Sequence, residues 1–185
     1  MARATLLWGA FLISLPILTT SPRASQIVQM TPREMGNESS VVVLGSVSGS
    51  SSYWNGTRTK ILTETTIRVS EAYKGNAGPT VRIVQLGGVV GNVRVTVHGA
   101  LVWRPGEEAL LFLESNGNGA YRVTGFSQGR FLVERDPVTG EAYVKQPTPL
   151  PDRSLRITDS QSNPQLSTEE RVSLHTFVRE AVGLR

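Results

Sequence analysis

Cysteine is absent from the 185 residues, which excludes disulfides and thiolate metal sites and leaves an exported domain to stand on its hydrophobic core alone. Histidine is nearly as scarce. His98 and His175 lie far apart with no cysteine to join them, so no metal site is expected and both are read as surface residues. No D-x-[DN]-x-[DN]-G calcium loop occurs, and the glycine cluster Gly87 to Gly91 has no Gly-Lys-Ser/Thr after it; it reads as a hairpin turn, and no cofactor is expected. No apolar run reaches the roughly 20 residues that cross a bilayer as a helix, so the mature chain is expected to lack a stable transmembrane segment. The first 25 residues hold no acid but contain Arg3 and Arg23. The pI is ≈ 9.8 and the formal net charge +4, yet outside that start 17 of the 19 basic residues face 15 acidic ones, all scattered. Such a balance is no polyanion footprint, and no nucleic-acid partner is expected.

What is present begins with a short basic start and an apolar stretch from Leu6 to Leu18, broken by Pro16. Residues 1–25 therefore read as a secretory signal peptide, and with no cysteine the chain reads as a bacterial exported protein, periplasmic or secreted. Residues 26–38 form a polar N-terminal segment. From 39 to 146 the chain is a series of short β-like runs punctuated by Gly, Asn, Ser and Pro, the pattern of a small barrel or sandwich. Val41 to Leu44 is apolar at every position and reads as a strand covered on both faces. Ser46 to Ser52 reads as a flexible loop.

Ile61 to Val69 alternates as a half-buried strand. Val81 to Leu86 follows, and then Val93, Val95 and Val97 on one side of another. Ala109 to Leu113 is the most apolar run of the mature chain, and Asn116-Gly117 after it reads as a hairpin turn. Tyr121 to Val123 and Phe131 to Val133 continue the sheet, with a last hairpin about Asp136 to Gly140 returning through Ala142 to Val144. Residues 147–166 read as a linker rich in Pro, Asp, Ser and Asn. A helix is predicted over 167–183, with Ser167 and Glu170 as its capping box, an apolar stripe at Leu174, Phe177, Val178 and Ala181, and Gly183 as its C-cap.

Three clusters invite a chemical reading. Glu107-Glu108 follows the Arg104-Pro105-Gly106 turn. A glycosidase needs two carboxylates facing one cleft, whereas strand neighbours point to opposite faces, so both are expected to be solvated rim charges. Gly125-Phe126-Ser127-Gln128-Gly129 matches the nucleophile elbow, with Asp136, Asp152 or Asp159 and then His175 in hydrolase order. The elbow requires a helix after the serine, but Arg130 to Val133 reads as a strand, so the segment is expected to be a glycine-flanked bend. Tyr53, Trp54 and Arg58 stand together beside the Ser/Gly-rich stretch and form the candidate partner-binding group, since aromatic rings supply contact area at low entropic cost.

The first strand ending in Gly45-Ser46-Val47, the alternating strand ending in Tyr73-Lys74-Gly75, and the Arg104-Pro105-Gly106-Glu107 turn into Leu110 to Leu113 together form a pattern. It resembles a family of exported bacterial all-β proteins of uncharacterised function, whose layout is similar to the netrin-like and TIMP-like barrels of the OB type. The resemblance covers about Ser39 to Val133 and implies an OB-like barrel. TIMP-type inhibition uses an N-terminal cysteine on the target's zinc, and a chain without cysteine cannot act in that way. The expectation is an all-β fold, a small OB-like β-barrel or sandwich with a C-terminal α-helix. It is expected to be no enzyme but a domain that binds a protein or cell-envelope component. The alternatives are a small secreted serine hydrolase using Ser127 and a purely structural envelope protein.

Overall fold

A computed structural model describes residues 29–145 and 171–183 of the chain. The expected signal peptide and linker lie outside these residues. The helix α1 (Pro32–Glu38) is followed by the strands β1 (Val41–Trp54), β2 (Ile61–Lys74), β3 (Thr80–Leu86), β4 (Gly88–Val90), β5 (Val93–Val95), β6 (Glu108–Gly117), β7 (Ala120–Val123), β8 (Arg130–Arg135), β9 (Ala142–Lys145) and β10 (Val172–Ser173), and then by α2 (Leu174–Val182). The protein is mostly β-sheet, as expected.

Strands β1, β2, β3, β7 and β6 are hydrogen-bonded in that order, and β6 pairs again with β1, so the five close into a ring. Every pairing in the ring is antiparallel except β3 with β7, which is parallel and rests on the single registered pair Ile83 with Tyr121. Strands β8, β9 and β10 extend the sheet outward from β6, while β4 and β5 form a separate hairpin.

The two wholly apolar runs predict the core. Successive strand residues point to opposite faces, so Val41, Val43, Leu111 and Leu113 fill the inside of the ring with Ile67, Val81 and Ile83. Val42, Leu44, Leu110 and Phe112 face outward instead and meet Phe131, Val144, Met35 and the stripe Leu174, Phe177, Val178 and Ala181 of α2. Both faces of the β1–β6 wall are therefore covered. In the outer core Phe112, Phe131 and Phe177 meet pairwise with centroids 4.7–6.4 Å apart, two of the contacts edge-on and one tilted, aromatic contacts worth ~0.5–1.5 kcal/mol each beyond burial.

Four expectations are corrected. Ser46 to Ser52 is strand, not loop: Ser50 and Ser52 pair with Thr65 and Thr63 through hydroxyl bonds of 3.0 and 2.9 Å, which satisfies a polar ladder that composition alone reads as flexible. The two-residue turn after β6 is Asn118-Gly119, both at positive φ, rather than Asn116-Gly117. Val93 and Val95 of the one-sided strand are exposed rather than buried. Helix α2 starts at Leu174 with Ser173 as its N-cap; Val172 and Ser173 pair with β9, and Ser167 and Glu170 lie outside the described residues. Gly183 is the left-handed C-cap, as expected.

Candidate binding site

Glu107, just before β6, and Glu108, its first residue, turn to different arginines of β8, so they form no carboxylate pair. Glu108 accepts two bonds from Arg135, 3.0 Å from Nε and 2.8 Å from Nη2. Glu107 is not the solvated rim charge expected of it. Its side chain is 12 % exposed, and its Oε1 lies 3.1 Å from Nη2 of Arg130, itself 13 % exposed, without an aligned hydrogen bond. The Arg130 guanidinium sits 5.1 Å from the Trp103 ring centroid and donates to the Val102 carbonyl at 2.7 Å. Burial pulls the Arg130 pKa down, opposed by the Glu107 charge. The pair pins the loop before β6 against β8, a structural task that explains both residues.

The segment around Ser127 is a bulge rather than an elbow. Strands β7 and β8 run along β6 in one direction, pairing with Leu113 and Leu111 on either side of Phe112. The chain leaves between them and is pinched shut where the Gly129 N–H bonds the Thr124 carbonyl at 3.0 Å, while Phe112 bonds both of these residues. A Cβ at Gly129 would come within 2.9 Å of the Phe112 and Thr124 carbonyl oxygens, so this neck requires glycine. Strand β8 follows directly, with no helix to hold an oxyanion. His175 is exposed on α2 and lines a different cavity with Glu71, Tyr73 and Glu141; His98 is exposed as well. Asp152 and Asp159 lie outside the described residues, and among the described residues no group of three or more metal-ligating side chains is gathered.

The bulge holds out Phe126, not Ser127. Phe126 has φ 69 and follows Gly125 at φ 61, a backbone region that is a genuine outlier for a bulky residue. Phe126 is 49 % exposed, and its ring packs toward Gly99, where a Cβ would stand 3.0 Å from the ring. Beside it opens a groove of ≈ 570 Å³ whose lining includes Val84, Leu86, Leu101, Met30, Phe126 and Glu38. That volume falls in the ~300–1,000 Å³ range of ligand sites.

Tyr53, Trp54 and Arg58 lie at the tip of the β1–β2 hairpin. Asn55 shapes the turn by accepting from the Thr59 and Lys60 amides at 2.8 and 2.9 Å, and Arg58 stands exposed at φ 53. Adjacent strand residues face opposite ways, so the two rings do not form one patch: Trp54 shares its face with buried Ile61, and Tyr53 pairs with Leu62 on the outer face. Leu62 in turn pairs with Leu86. Tyr53, Leu62 and Leu86 thus form an apolar row across three strands, about 10 Å wide at two strand spacings, and Leu86 carries it into the groove. Sequence reasoning reached Tyr53 but missed Leu86 and Phe126. The available signal was a phenylalanine set beside the glycine of a tight turn, where a polar residue is the usual choice. No protein-family model and no curated protein matches the chain.

Proposed function

We propose that the protein is an exported, non-catalytic β domain that binds a protein or cell-envelope component through the outer face of β1, β2 and β3 and the groove beside it. We further propose that the ring is an OB-type barrel: numbering its strands one to five along the chain, the order is one-two-three-five-four-one with the third and fifth parallel, and domains of that type bind ligands on the second and third strands. The basic, acid-free start supports export.

The observation that carries the reading is the continuous apolar surface from Tyr53 through Leu62 and Leu86 to Phe126. Single exposed apolar residues need no explanation, but a contiguous row leading into a cleft does. The charges nearby favour a protein over a nucleic acid. Arg82 on the same face is already paired with Glu64 at 3.4 Å, and among the described residues no basic stripe follows the row.

The test is affinity capture with residues 26–185 from the envelope fraction and the medium of the source bacterium, beside Leu86→Ser and Phe126→Ser variants shown by circular dichroism to be folded. A partner retained by the parent and lost by both variants is expected. Capture that neither substitution alters would remove this face from the reading.

A further inference from the structure

We infer that the groove takes an extended polypeptide segment as an added β-strand along β3, with a basic residue of that segment facing Glu38. This rests on the binding reading above and names its mode and partner class.

The groove is a seam in the ring. The Gly87 amide bonds the Ile61 carbonyl and the Val69 amide bonds the Pro79 carbonyl, so the odd-numbered residues of β3 turn their backbone groups toward β2. The even-numbered ones, Val84 and Leu86, turn theirs the other way, toward β7. There the only registered pair is Ile83 with Tyr121, and beyond it β7 ends at Val123 and the chain swings out into the bulge. The Val84 carbonyl and both backbone groups of Leu86 face the groove with no ladder partner on β7. An unpaired strand edge beside an apolar cleft is the template for strand addition, in which main-chain bonds supply affinity and pockets for alternate side chains supply specificity. The free stretch from Val84 to Leu86 is about 7 Å long at ~3.3 Å per residue, enough for two or three residues of a partner.

Charge fixes the partner's chemistry further. The lining carries three charged side chains, and Glu114 and Arg122 neutralise each other at 2.6–2.9 Å. Glu38 is exposed with no ion pair among the described residues, so the lining is left with one negative charge. The inferred segment is therefore apolar at alternate positions, to meet Leu86 and Phe126, and bears a lysine or arginine where it meets Glu38.

The experiment selects from a random nonapeptide library displayed on phage against residues 26–185. Enriched peptides are expected to show apolar residues at every second position with a basic residue at one fixed position, to bring the Leu86 amide under hydrogen-exchange protection, and to weaken at least tenfold when their inward-facing amides are N-methylated. Glu38→Lys is expected to reverse the preference at that position to an acidic residue. Enrichment with helical spacing, binding indifferent to N-methylation, or binding that leaves the Leu86 amide unprotected would overturn strand addition while leaving a binding module. Self-association that blocks the groove would assign it to a second copy and overturn the inference too. No enriched peptide, with no captured partner, would overturn both readings.

Discussion

Phe126 and Gly88 show opposite ways in which a positive φ is used. At Gly88, φ +133, an added Cβ would collide with the Ser52 and Thr63 hydroxyls, so the chain passes hard against the ladder that holds β1 to β2. Gly88→Ala is expected to cost about 1–3 kcal/mol through overpacking and backbone strain, measured by urea unfolding. Gly91→Ala, at φ +57 in open space, is expected to cost about 1 kcal/mol from backbone strain alone. Equal losses at the two sites would mean that packing against the ladder contributes nothing. At Phe126 a side chain is kept where glycine would be easier, at a strain of ~1–3 kcal/mol. Phe126→Gly is therefore expected to leave stability unchanged or raise it by up to about 1 kcal/mol while weakening partner binding at least tenfold. A large loss of stability would instead make Phe126 a structural plug and withdraw it from the site.

Helix α1 and the β8–β9 hairpin are both held by carboxylates on backbone amides. Thr31 and Glu34 form a reciprocal capping box, and Asp136 accepts from the Val138 and Thr139 amides at 2.8 and 3.0 Å. These bonds hold both carboxyls below their ordinary values. A depressed folded-state pKa gives stability that is present above the unfolded value and lost as pH falls through the folded one. The urea midpoint is therefore expected to fall between roughly pH 5 and pH 3, with a shallower fall in a Glu34→Gln/Asp136→Asn variant. An identical slope in the variant would place the acid sensitivity elsewhere.

Helix α1 went unread: its Thr-x-x-Glu capping box stands within residues 26–38, taken for a polar segment, and a seven-residue helix leaves too short an apolar stripe to show in periodicity. The choice between Asn116-Gly117 and Asn118-Gly119 was not legible, because either dipeptide accepts the positive φ of a tight turn. Register decides it: pairing Leu113 with Val123 and Glu114 with Arg122 keeps the apolar residues on the core side. The strand character of Ser46 to Ser52 was hidden for a related reason, since its hydroxyl partners Thr63 and Thr65 arrive from the next strand. Of the candidate site, Tyr53 was legible from its setting, whereas Leu86 acquires its role only when the hairpin aligns it with Leu62.

The whole molecule is organised around the β1–β6 wall, with a closed ring on one side and a helix-covered layer on the other. That the wall is covered twice follows from its unbroken apolar runs. What covers the second face could not be read there, because the cover comes from Met35 near one end of the domain and from Leu174 to Ala181 at the other. The ring therefore depends on a helix outside it. Phe177, Val178 and Leu174 are each worth roughly 1.5–3 kcal/mol when buried, and together they rival the lower end of a domain's ~5–15 kcal/mol of net stability. A chain ending at Lys145 is expected to lose its cooperative urea transition and to associate on gel filtration, since it would expose Val42, Leu44, Phe112 and Phe131 as one apolar sheet face. Phe177→Ala, which breaks two of the three ring contacts, is expected to keep the fold and cost about 3–5 kcal/mol. A truncated chain that stays monomeric with an unchanged midpoint would show that the ring is a domain in its own right and α2 an accessory. The two measurements together thus decide whether the binding face is built on one cooperative unit or on two.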